Sequence, residues 1–309
     1  MITNGVNTAI GVHQLSKRYG GSTAVDGISF EVGKGEVVGF LGPNGAGKTT
    51  TLRMLAGLVR PSGGSCEILG QAVRGPTLRE VGTMIEEPSF YPYLSGRANL
   101  QHAALLHGGV RPRRIDEVLE FVGMELAAGK RVSAYSQGMR QRLGLARSLL
   151  WSPEVLLLDE PTNGLDPVGI AEVRDQLREV ARRGVTVLIS SHILSELEKL
   201  VGRVLVIEQG RLLYAGSLDR LIRRIDEQLV PYLLLSTDAD ELCRAAETLG
   251  HRLERLDDGR LRIWVPDTES DALIGRLSRL GVELIDARRE SDSLEGAYLR
   301  LLKQDGRPS

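Results

Sequence analysis

The segment Gly42-Pro43-Asn44-Gly45-Ala46-Gly47-Lys48-Thr49 constrains this chain more than any other stretch. It follows an apolar run at residues 37–41 and precedes a helical pattern, so it predicts a strand, a glycine-rich loop and a helix in that order. Glycines let consecutive backbone N–H groups turn inward around phosphate oxygens. A helix beginning near Gly47 adds the positive end of its dipole. Lys48 is then placed to reach the β- and γ-phosphates of a nucleotide, and the Thr49 hydroxyl to bind Mg²⁺. The loop also contains dinucleotide-like glycine spacings, but its Lys-Thr ending disfavours that reading.

Residues 37–41, 155–158 and 185–189 are near-continuous apolar runs, the pattern of strands buried on both faces of a parallel sheet. Helical patterns follow them, as in a doubly wound α/β fold. Residues 94–151 read as a helical insertion. The run at 155–158 ends in Asp159-Glu160, two carboxylates at the carboxyl edge where ligands of open α/β sheets sit. Asp159 suits a Mg²⁺ ion and its waters, and Glu160, one side chain further along, suits polarising an attacking water. Tyr135-Ser136-Gln137-Gly138-Met139-Arg140-Gln141 precedes a helical pattern. Its Ser and Gly supply either an anion site or an ordinary serine cap.

With 309 residues the chain has room for one large and one small domain. A formal net charge of −1 provides no global positive field for nucleic acid. Cys66 and Cys243 lack metal-site spacing and read as reduced thiols. The first residues have no signal-peptide character. No run approaches the ~18–20 apolar residues that cross a bilayer, so work on a membrane is expected from its surface.

From residue 222 the texture changes. A strand at 233–236, a helix at 238–249, a hairpin of 252–256 with 260–265 across Asp257-Asp258-Gly259, a helix at 270–280 and a strand at 282–287 are expected, with a last helix at 293–302. That is the βαββαβ, ferredoxin-like order.

Taken together, these motifs resemble the ATPase subunits of ATP-binding-cassette transporters across residues 8–220, in family order. The resemblance implies an α/β P-loop NTPase cassette at 8–220 with its helical subdomain at 94–151, and residues 221–309 as an accessory α+β domain. It implies that Tyr19, in Lys17-Arg18-Tyr19-Gly20, stacks on adenine, and that Gly42, Pro43, Asn44, Gly45, Ala46, Gly47, Lys48, Thr49 and Thr50 hold the phosphates of ATP. Ser136 and Gly138 match a signature whose usual form is Leu-Ser-Gly-Gly-Gln, which contacts the ATP of a second copy. Asn163-Gly164-Leu165-Asp166-Pro167 matches the loop that joins two protomers. Glu160, His192 and Lys48 take the catalytic positions, and Thr49, Glu86 and Asp159 those around Mg²⁺.

The implied partners are a second copy in a head-to-tail ATP sandwich and a separate integral-membrane permease, contacted through loops near residues 86–93 and placing the chain on the cytoplasmic face of the membrane. Two departures stand out: Tyr135, Gln137 and Met139 in the signature, and Glu86 where the family usually carries Gln. Both resemble exporter subunits for antibiotics, polysaccharides or lipids. Other classes fit less well. No Asn-Lys-x-Asp guanine motif occurs, only one cassette is present where ribosome-acting relatives carry two, and no sustained heptads mark a DNA-repair coiled coil.

Overall fold

The computed structural model describes residues 8–106, 108–111, 113–192, 197–221, 230–256 and 259–289. The chain divides into two compact units, Met1–Gly216 and Ser217–Ser309.

In the first unit the apolar runs become a parallel sheet. Strands β3 (Val37–Leu41), β6 (Val81–Met84), β7 (Val155–Asp159), β8 (Thr186–Ser191) and β9 (Arg203–Glu208) lie in the order β9-β3-β8-β7-β6, with β10 (Arg211–Ser217) beside β9. All four pairings among β9, β3, β8, β7 and β6 are parallel. Every residue of β7 and β8 is buried, which is why neither shows polar alternation. A second, antiparallel sheet sets β2 (Ser22–Gly33), β1 (Thr8–Tyr19), β4 (Gly63–Ile68) and β5 (Gln71–Ala72) side by side. The two sheets share one core with helix α1 (Lys48–Leu55): Ile10, Val12 and Ile28 join Phe40, Leu157, Leu188 and Leu205, together with Leu52 and Leu55. Full burial of each such side chain contributes about 1.5–3 kcal/mol, so α1 and the loop before it are anchored from beneath.

Between β6 and β7 the described residues form α2 (Gly96–Leu106), α3 (Arg114–Phe121) and α4 (Gln137–Leu149). Helix α5 (Pro167–Arg182) links β7 to β8, started by the Asp166 carboxylate accepting from the Gly169 N–H at 2.8 Å and by Pro167 at its first position.

The second unit contains β11 (Val230–Ser236), α6 (Ala239–Thr248), β12 (Arg252–Arg255), β13 (Leu261–Val265), α7 (Leu273–Arg279) and β14 (Leu284–Arg289). Its sheet runs β12-β13-β11-β14 with every pairing antiparallel, the order a split βαβ produces. Alternate residues of β13 are buried, and Leu261, Ile263 and Val265 pack with Leu242, Ala246, Leu273 and Leu277 of the helices. Strand β11 starts at residue 230, three before the expected 233, and carries Pro231 opposite Trp264 of β13. The expected helix at 270–280 is split into one turn at Asp267–Ser270 and α7. The Asp257-Asp258 turn and the helix expected at 293–302 lie outside the described residues.

Candidate functional site

The loop from Gly42 to Gly47 is shaped by two close backbone approaches. A Cβ on Gly42 would lie 2.3 Å from the Ile207 carbonyl oxygen, and one on Gly47 2.5 Å from that of Ala24. Gly47 also has φ 109°, a region side chains avoid, so glycine is required at both positions. The loop curls over the N-terminus of α1, whose first N–H groups have no partner within the helix, the arrangement that favours an anion. Lys48 is buried; its Nζ donates to the carbonyls of Gly42 at 2.6 Å and Pro43 at 3.1 Å and lies 3.6 Å from Glu160 Oε1. An open cavity of about 240 Å³ is lined by Pro43, Asn44, Gly45, Ala46, Gly47, Lys48, Thr49 and Thr50, and closed on its far side by Glu160, Asn163 and His192.

Asp159 ends β7 with both carboxylate oxygens occupied. Oδ2 accepts from the Thr49 hydroxyl at 2.6 Å and Oδ1 from the Ser190 hydroxyl at 2.5 Å. Glu160 follows with φ 50°, a left-handed conformation that costs a non-glycine residue roughly 1–2 kcal/mol. The strained turn is held by its N–H, which lies 3.1 Å from Ser190 Oγ and 3.2 Å from the Ser190 carbonyl. It swings the carboxylate across the cavity, where Oε2 lies 2.5 Å from His192 Nδ1. Ser190 thus holds both Asp159 and the Glu160 backbone, contacts that the motifs alone do not announce. Its sequence signal was a serine buried at the carboxyl end of an otherwise apolar strand.

The remaining expected residues fall elsewhere. Tyr19 ends β1, 45% exposed, with Lys17 Nζ 4.9 Å from its ring centroid. Ser136 caps α4, its Oγ accepting from the Met139 N–H at 3.2 Å. Neither Ser136 nor Gly138 lines the phosphate cavity of its own chain. Glu86 has φ 65° and an ion pair with Arg53, one turn beyond Thr49 on α1. The structure therefore brings Thr49 and Asp159 together, while it pairs Glu86 with Arg53. Nothing in the local sequence announces the Arg53 partnership.

A second, larger groove of about 1150 Å³ lies beyond Glu86, lined among others by Phe90, Tyr91, His102, Arg147 and Trp151. Arg147 of α4 fixes its wall, donating to the Ser89 carbonyl at 2.9 Å with its guanidinium 4.8 Å from the Phe90 ring centroid. Burial lowers the Arg147 pKa, so this cation has exchanged water for a carbonyl and an aromatic face.

A phosphate loop on a parallel sheet, a strand-end Asp-Glu pair and a helical insertion carrying a serine-capped helix define a P-loop ATPase cassette. The ABC transporter family model matches residues 25–163. The chain is 40% identical over 301 residues to the bacitracin transport ATP-binding protein BcrA of Bacillus licheniformis, covering 96% of this chain and 98% of that one. It is 38% identical over 315 residues to the daunorubicin resistance ATP-binding protein DrrA3 of Streptomyces coeruleorubidus, covering 97% and 98%. Among solved structures, an ATP-binding subunit of an ABC transporter superposes with a TM-score of 0.65 at 29% identity, over 71% of this chain and 93% of that one. The chain belongs to the ATP-binding subunits of ABC transporters, the ATPases that power transport through membrane permeases. No helix among its described residues is long and apolar enough to cross a membrane.

Proposed function

We propose that two copies of this chain close head to tail around two ATP molecules, each held by Lys48 and the loop of one copy and by Ser136 and Gly138 of the other, with Tyr19 against the adenine. The observation that carries the reading is the placement of Glu160. One carboxylate faces Lys48 and His192 across a cavity that the Thr49–Asp159 pair borders. The absence of Ser136 and Gly138 from the lining of that cavity supports a second copy as their site of action.

Thr49 Oγ1 and Asp159 Oδ2 are hard oxygen donors of the kind Mg²⁺ takes. Thr49 and Asp159 would hold the ion from the protein side, and the described residues contain no cluster of three or more His, Cys, Asp or Glu beside them. When bound, Mg²⁺ neutralises charge on the β- and γ-phosphates. Lys48 exchanges the Gly42 and Pro43 carbonyls for phosphate oxygens, which releases Oε1 of Glu160 to accept a proton from the attacking water. His192 holds Oε2 and steadies the carboxylate. Glu86 would have to leave Arg53 before it could serve as a further oxygen donor.

The groove walled by Phe90, Tyr91 and Arg147 is the docking site for the permease, on the cytoplasmic side of the membrane. Likeness to bacitracin and daunorubicin subunits along almost the whole chain supports outward transport of an antibiotic or a similar amphipathic cargo. Glu160→Gln tests the central assignment: it keeps shape and nucleotide affinity but removes the base. Turnover falls by at least a hundredfold, and an ATP-dependent dimer accumulates on a sizing column. Hydrolysis near the wild-type rate would sink the assignment.

A further inference from the structure

Tyr135, the residue before Ser136, stands where the family signature usually has Leu, and the composite-site reading above leaves it without a role. Its ring is buried, 4% exposed. Its hydroxyl donates to the Ala127 carbonyl at 2.8 Å and sits over the first residue of α2, where a Cβ on Gly96 would lie 2.3 Å from the phenol oxygen and 3.1 Å from Cζ. Burial raises the phenol's pKa while the Gly96 N–H pulls it back, so the group stays protonated and donating. Burial and the Ala127 hydrogen bond hold this hydroxyl in place.

The backbone of Tyr135 is held from both sides. Its N–H donates to the Val132 carbonyl at 3.0 Å, and its carbonyl accepts from Arg140 Nη1 at 2.9 Å. With ring and backbone both pinned, the position of the next residue, Ser136, follows. The other end of the link is equally firm. Asn99, one turn into α2 and 5% exposed, accepts from the Tyr91 N–H at 2.8 Å and donates to the Tyr91 carbonyl at 3.1 Å. Tyr91 lines the groove beyond Glu86.

We infer that the Tyr135 hydroxyl is a positioning group for Ser136: it ties the signature loop to Ala127, whose neighbours Ala128 and Lys130 accept from the Arg97 and Gly96 N–H groups at the start of α2, and through α2 to the groove loop, setting the pose in which Ser136 meets the nucleotide of a second copy. Gly96 is glycine because that hydroxyl occupies the space of its Cβ. A leucine in place of Tyr135 would fill volume without this link. The inference rests on the composite-site reading of Ser136.

The test uses the full chain in the Glu160→Gln background, where hydrolysis is silenced and the ATP-dependent dimer can be measured at equilibrium by analytical ultracentrifugation. Tyr135→Phe deletes only the hydroxyl. It is expected to weaken the ATP-dependent dimer about three- to tenfold, the scale of one buried hydrogen bond, while ATP affinity of the dilute monomer stays within twofold. A merely structural role would lower the melting temperature without moving the dimer constant of folded protein. Gly96→Ala is expected to weaken the dimer as well, and its effect is expected to shrink several-fold once Tyr135→Phe has removed the oxygen it strikes. A dimer constant within twofold of the parent for Tyr135→Phe overturns the inference, as does a Gly96→Ala effect of equal size with and without the hydroxyl. Ser136→Arg separates the two levels. If it leaves the dimer intact, the composite-site reading itself fails. If it abolishes the dimer while Tyr135→Phe is silent, only the positioning role of Tyr135 is lost.

Discussion

Oε2 of Glu160 and Nδ1 of His192 lie 2.5 Å apart, joining the residue after β7 to the residue after β8. The contact is reinforced by the His192 N–H, 3.4 Å from the same oxygen. Glu160 thus has two neighbours, one on each oxygen: Lys48 Nζ 3.6 Å from Oε1, and His192 on Oε2.

His192→Ala is therefore expected to leave ATP binding within a few-fold of wild type while lowering kcat by about ten- to a hundredfold, because the carboxylate loses its orienting partner but not its basicity. Steady-state kinetics with a separate binding titration check this. Loss of binding and turnover in equal measure would give His192 a ground-state role instead.

Arg53 holds Glu86 in the free chain. Both side chains are partly exposed, so the pair contributes no more than about 1 kcal/mol. Arg53→Ala releases the carboxylate toward the metal pair, and the ratio of ATP affinity in Mg²⁺ to that in EDTA is expected to rise up to about fivefold. Adding Glu86→Gln in that background should cancel the rise, since an amide carbonyl is a weaker ligand for a hard cation. An Arg53→Ala ratio equal to wild type would place Glu86 outside the metal shell altogether.

His251 gives the C-terminal unit a pH dependence with a definite sign. Burial, the largest cause, depresses its pKa below the ordinary 6.5; Glu269 raises it and Arg276 lowers it. Its Nε2 is buried with no hydrogen-bond partner among the described residues. The unfolded chain takes up a proton near the ordinary value, whereas the folded unit resists it. Stability is thus full above about pH 6.5 and declines as the pH falls toward the depressed folded value. Melting curves of the intact chain between pH 7.5 and pH 5, read at the transition of this unit, are expected to move down more for wild type than for His251→Phe. Parallel pH dependence in the two proteins would remove His251 as the cause.

Much of the cassette was legible along the chain because its signals are local. The phosphate loop and the Asp159-Glu160 pair are short strings whose geometry follows from neighbouring residues, and the runs that became β3, β7 and β8 announce burial on two faces by composition alone. In the second unit the helix expected at 238–249 and the strand expected at 260–265 appear as α6 and β13 for the same reason. Strand β11 extends three residues further toward its N-terminus than its apolar run announced, because Val230 and Pro231 are joined to the strand by their pairing with Val265 and Trp264.

What local pattern could not carry were contacts between residues far apart in sequence. Ser190 meets Asp159 across 31 positions, Arg53 meets Glu86 across 33, and the Tyr135 ring sits on Gly96. Each depends on where two elements happen to pack, and a hydroxyl or guanidinium has no periodicity that reveals its partner. The sequence alone determined that this chain builds an α/β ATPase cassette. Tertiary packing decided that Glu86 rests on Arg53, that Glu160 is held by His192, and that Ser136 stands outside its own chain's nucleotide cavity, because those outcomes follow from which strand and helix ends the folded sheet sets side by side.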